Sequence, residues 1–119
     1  MKKKIEEIKN TDYGVGDVSC EPAKCEIARA IQTNNLEARS FQEDIDELNA
    51  EWNKEAKSEN EYFELQKKYH AQRVAYLVVN KWSDPILLRK DGATISDGLH
   101  RLKAAVYLEM EEVDVVLEK

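Results

Sequence analysis

The stretch "DPILLRKDGATISDGLHRLKAAVYLEMEEVDVVL", residues 84–117, decides the architecture. Pro85 leads a short apolar run, and Asp91-Gly92 separates that run from "ATIS". An Asp-Gly pair between two short apolar runs signals a hairpin, because both turn residues tolerate positive φ. Strands are therefore expected at 86–89 and 93–96. Asp97-Gly98 opens a helix expected over 99–109, with Leu102, Ala104, Ala105 and Val106 turned inward. "EVDVVLEK" then alternates Val113, Val115 and Leu117, which predicts a last strand at 112–117.

Inside this stretch, "DGLHRLKAA" (97–105) raises a chemical question. Glycine lets the backbone approach a ligand with no β-carbon in the way. The first N–H groups of a helix lack internal partners and carry partial positive charge. Such an end accepts an anion. His100 and Arg101 add side-chain donors there, and a guanidinium can grip phosphate with two parallel bonds. The plainer reading makes Asp97 an ordinary cap and His100 and Arg101 a surface pair. A cation at a helix start opposes the helix dipole, however, so the choice of Arg101 wants a reason.

Upstream, the chain reads as mainly helical. "PAKCEIARAIQ" carries Cys25, Ile27, Ala28 and Ile31 in a short amphipathic helix with Pro22 at its first turn. Ser40 and Glu43 form a capping-box pattern, and Phe41, Ile45, Leu48 and Trp52 follow as one apolar stripe. Ser58 and Glu61 repeat the box ahead of a long helix that presents Tyr62, Leu65, Tyr69 and Tyr76. This helix turns nearly all apolar from Val74 to Val79 and stops at Asn80. His70 and Arg73 stand three apart on one of its faces; the plainer reading makes them a solvated polar patch beside Tyr69, the alternative has them meet a phosphate from the side. Trp52 and Trp82 read as packing residues rather than base-stacking platforms. Near the start, 3–8 is expected as a short edge strand, and "TDYGVGDVSC" with Gly14 and Gly16 as a loop.

The fold class expected is α/β (α+β): a small mixed β-sheet packed with helices. It is read as one domain, 1–119, with a mainly helical part at 1–82 and the hairpin–helix–strand core at 83–119.

Composition narrows the functions. The chain has 119 residues and a formal net charge of −6. No apolar run approaches the roughly 20 residues of a membrane span, and the start lacks a signal-peptide core, so a cytoplasmic protein is expected. Cys20 and Cys25 are too oddly spaced for a redox pair or a zinc site and read as reduced thiols. The acidic balance argues against direct nucleic-acid binding. The charge is uneven: residues 1–63 hold nine Lys/Arg against fifteen Asp/Glu, whereas 67–103 hold eight against three. The candidate turn thus lies in the one basic stretch of an acidic chain. The dense carboxylates of an acidic helix at 40–61 suggest a second possibility, docking on a basic protein partner. Asp97, His100 and His70 lack the patterned spacing of a metal site, so no protein-held metal is expected.

Pro85-Ile86, the Asp91-Gly92 turn, Asp97-Gly98 with His100-Arg101, Ala104-Ala105 and Val113-Asp114-Val115, taken in this order, resemble the core of the ParB/sulfiredoxin-like superfamily. "YHAQRVAYLVVNKWSDPI" is similar to the preceding helix in short ParB-like proteins of mobile elements. The resemblance implies that Gly98, Leu99 by its backbone, His100 and Arg101 hold the phosphates of a nucleotide, ATP or CTP, with Mg²⁺ carried in by the nucleotide. Asp97 would cap the helix or hold His100. It implies a nucleotide- or phosphate-binding domain of a phage or plasmid, with NTP hydrolysis or phosphotransfer as the chemistry the turn would support. Leu99 stands where sulfiredoxins carry their reactive cysteine, so sulfiredoxin chemistry is not expected. ParB partition proteins continue into a helix-turn-helix region that this sequence lacks, so partition-type DNA binding is not expected either. Whether the chain is an enzyme stays open. The alternative is a non-catalytic acidic inhibitor aimed at a host nucleic-acid or defence factor.

Overall fold

The computed structural model describes residues 1–8 and 24–119. The Gly14–Gly16 loop reading, Cys20 and the placing of Pro22 lie outside the described residues. Strand β1 (Lys2–Lys4) comes first, followed by a single turn of tighter helix at Ile5–Glu7. Four helices follow among strands: α1 (Lys24–Gln32), α2 (Ile45–Glu55), α3 (Glu59–Asn80) and, after the hairpin of β2 (Ile86–Leu88) and β3 (Ile95–Asp97), α4 (Leu99–Tyr107). Strand β4 (Glu112–Leu117) closes the order.

The four strands form one mixed sheet in the order β1-β4-β2-β3. β2 pairs antiparallel with β3 and parallel with β4, and β1 lies antiparallel on the outer edge of β4. A parallel pair cannot be joined by a tight turn. Here β3 and α4 together make the crossover, which puts the start of α4 beside β2. The expected edge strand at 3–8 is thus corrected to three residues. The chain leaves the ladder at Ile5, whose N–H donates to Glu111 O, and Ile8 turns into the core.

The hairpin follows the Asp-Gly signal, with a difference. Gly92 takes φ +71, but Asp91 does not take positive φ. Its carboxylate instead accepts from the N–H groups of Ala93 and Thr94 and from the Thr94 hydroxyl. The side chain does by hydrogen bonding what a doubly left-handed turn would do by backbone shape. Strand β3 accordingly starts two residues later than expected, and the register shifts between Leu87 and Leu88.

One face of the sheet is apolar. Ile86, Leu88, Ile95, Val113 and Val115 point inward and are buried. Leu102 and Ala105 of α4 cover them. Ala104, on the opposite side of α4, packs against Val74, Ala75 and Val78 of α3 and Ile27 and Ala30 of α1. α4 is therefore a middle layer, and the small Ala104-Ala105 pair is what lets sheet and helix approach it from both sides. Burying each of the Leu, Ile and Val side chains among these contributes about 1.5–3 kcal/mol. A third cluster joins Leu48 and Trp52 of α2 to Tyr69 of α3, with Phe41, Tyr62 and Leu65 packed around it.

Two helix starts diverge. Ser58 caps α3 as expected: its side chain accepts from Glu61 N–H at 3.2 Å. The Glu61 carboxylate reaches back to Lys57 N–H rather than to Ser58. The box at Ser40 does not form. α2 begins one turn later, at Ile45, and the Asp44 carboxylate accepts from Ser40 N–H while Asp44 N–H donates to Ser40 O. This closed turn frees Phe41 from the helix and lets its ring reach Tyr69 and His70 at 6.2 and 5.8 Å. The expected acidic helix at 40–61 is consequently two elements with a break at 56–58. Cys25, read as inward, is exposed, and Val106 is only partly buried. No helix among the described residues is long and apolar enough to cross a membrane.

Candidate functional site

Gly98 takes φ +108, a backbone conformation that an L side chain rarely adopts. The position is also crowded. A β-carbon there would lie 3.2 Å from Ile86 Cγ1 and 3.3 Å from Ile86 Cα. Glycine thus satisfies two demands at once, a left-handed turn and contact between the start of α4 and the core strand β2. With no side chain at this cap, the first amides of α4 have no side-chain partner from Gly98.

Arg101 secures the same corner. Its guanidinium donates to Pro85 O at 2.7 Å and to Asp97 Oδ2 at 3.3 Å. It therefore ties α4 to the entry of β2 and holds Asp97, which makes no cap hydrogen bond to the helix.

α3 approaches from the other side. Lys67, His70, Arg73 and Leu77 fall on one helix face and line the same cavity as the turn. His70 Nδ1 lies 2.7 Å from His100 Nε2, with the two rings nearly parallel and 5.0 Å apart. One of these nitrogens donates to the other. Desolvation pulls the His100 imidazole down to about 3, helped by His70, Arg73, Lys103 and Arg101 around it. His100 is thus neutral at ordinary pH, and the His70–His100 contact bridges α3 and α4. The edge of Tyr69 meets the His100 ring, and its hydroxyl, pushed up to about 12 by burial, donates to Arg39 O. Arg73 donates to the carbonyls of Glu37 and Ala38 and lies over the Tyr76 ring.

The cavity enclosed here measures about 280 Å³. All seven residues singled out in the sequence line it: His70, Arg73, Asp97, Gly98, Leu99, His100 and Arg101. Its remaining walls come from Ser40, Phe41, Gln42 and Leu77, and from two lysines, Lys67 and Lys103. Sequence reasoning missed both lysines. Lys103 is buried despite its charge, which its place between Leu102 and Ala104 does not by itself signal. Phe41 carries no sequence signal for this role, since its apparent place was the stripe of α2. Four cations, Lys67, Arg73, Arg101 and Lys103, surround the space, against one carboxylate, Asp97. No group of three or more side chains able to hold a metal comes together among the described residues.

A salt-bridge network lies behind this wall. Arg39 binds Glu37 at 2.6 Å, Glu51 at 2.8 Å and Glu47 at 3.3 Å. Burial alone would raise the Glu37 carboxyl, but the Arg39 hydrogen bonds and charge hold it below the ordinary carboxylate value. The acidic face of α2 is thereby partly neutralised from within the chain. Compared with known protein families, with curated proteins and with solved structures, the chain finds no match.

Proposed function

We propose that the chain binds a phosphate-bearing ligand, a nucleotide or a related compound, at the 98–101 turn, in the manner its resemblance to ParB/sulfiredoxin-like proteins implies. One observation carries this reading: the amino-terminal end of α4, uncapped and opened by Gly98, borders a cavity walled by four cations and a single carboxylate. Backbone amides, the helix dipole and side-chain charges there favour the same anionic group. The reading is of binding rather than of turnover. Asp97, the one carboxylate on the wall, is engaged with Arg101 and is poorly placed to act as a base.

Arg101 braces the turn more than it reaches for a ligand, so its removal would confound folding with binding. Lys67 is exposed and lines the cavity, which makes it the better probe. A ligand that binds only the folded chain raises its melting temperature. Phosphate, ATP and CTP, each tested with and without Mg²⁺, are expected to include at least one that does so. Lys67→Glu is expected to remove most of the shift while leaving the unliganded melting temperature within about 2 °C, as for an ordinary surface change. No shift with any of these anions refutes the reading. Docking on a basic partner through the acidic stretch is less well supported, because that stretch is broken in two and Arg39 occupies two of its glutamates, Glu47 and Glu51.

A further inference from the structure

Resting on the reading of this cavity as a phosphate site, we infer that its ligand is a phosphomonoester carrying one ring-sized apolar group, bound without a metal ion. The size of the space sets the first limit. It measures about 280 Å³. A cavity of about 150 Å³ accommodates a benzene-sized ring, and sites for larger ligands run from about 300 to 1,000 Å³. One ring and one head group fill this partly open space, whereas the three phosphates, sugar and base of a nucleoside triphosphate would extend out of it into solvent.

The charges set the second limit. Mg²⁺ is ordinarily held by one or two protein carboxylates together with substrate phosphates. The wall supplies one carboxylate, Asp97, and Arg101 lies 3.3 Å from it. Lys67, Arg73, Arg101 and Lys103 already provide the positive charge that a metal would bring. A dianionic phosphate is neutralised there by side chains alone.

The rest of the lining describes the body of the ligand. Phe41, Leu77 and Leu99 are apolar, and the His70 and His100 rings lie nearly parallel beside Phe41. His100 stays uncharged, so this side of the cavity presents the flat, neutral ring of His100 beside the apolar Phe41 and Leu77. A ring stacks or packs against such a wall better than a second charged group does. The head group therefore lies at the start of α4 and the ring toward Phe41 and Leu77.

Calorimetric titration of the full chain with inorganic phosphate, phenyl phosphate, ATP and CTP, each in EDTA and in excess Mg²⁺, tests this. The expected result is that phenyl phosphate binds at least tenfold more tightly than inorganic phosphate and that EDTA leaves its affinity unchanged. Equal affinity for phenyl and inorganic phosphate overturns the apolar body of the ligand. Binding confined to ATP or CTP with Mg²⁺ overturns the inference but leaves the phosphate-site reading standing. Binding of none of the four overturns both.

Discussion

At the scale of single residues, Gly98 carries the most consequence for its size. Its φ of +108 and the closeness of Ile86 leave a β-carbon strained and crowded. Gly98→Ala therefore pairs backbone strain of about 1–3 kcal/mol with a clash against a buried strand. The expected cost is about 2–3 kcal/mol, read as a melting temperature lowered by roughly 10 °C or more. A loss below about 1 kcal/mol would show that α4 can shift away from β2, and with it the tight corner on which the site is built. The sequence showed that a glycine here opens a helix. It did not show that the reason includes Ile86, because that contact joins residues twelve apart.

At the scale of elements, the start of α3 and the start of α2 make a controlled comparison. Both carry a serine with glutamate three residues on. Only Ser58 caps, because Ser40 is drawn into a turn closed by Asp44. Ser58→Ala is expected to cost about 1 kcal/mol, the usual value of a lost serine cap, whereas Ser40→Ala should stay within about 0.5 kcal/mol. Urea unfolding of the two variants checks this, and equal losses would place a working cap at Ser40 after all. The pattern was legible at both positions. At Ser40 the turn lets the Phe41 ring reach Tyr69, His70 and Trp52, contacts that the local pattern does not state.

At the scale of the whole molecule, the His70–His100 contact couples the two halves of the chain. In the fold His100 is held neutral down to about 3, while its ordinary value is 6.5. Between these values the unfolded chain binds more protons than the folded one, so stability rises with pH through that window. The contribution is complete above about pH 6.5 and is lost as pH falls toward 3, with a slope approaching 1.4 kcal/mol per pH unit from this one group. Between about pH 7 and pH 4.5, wild type should lose at least about 1.5 kcal/mol more than His100→Gln, whose side chain does not titrate. Parallel losses in urea unfolding would mean that the imidazole is solvated in the fold and that α3 and α4 do not close over it.

The amino-acid sequence alone determined the order of elements from Pro85 onward, the hairpin, part of the inward faces of α3 and α4, and seven of the residues that gather at the turn. All of these depend on spacing or on neighbours a few positions apart, which the chain states directly. It also placed His70 and Arg73 on one helix face, the face that lines the cavity. Tertiary structure alone decided the rest: the early end of β1, the late start of α2, the burial of Lys103, and the closure of the cavity by Phe41 and Lys67. Each of these is settled by packing between elements far apart in sequence, where a gain on one side of a contact offsets the local preference on the other.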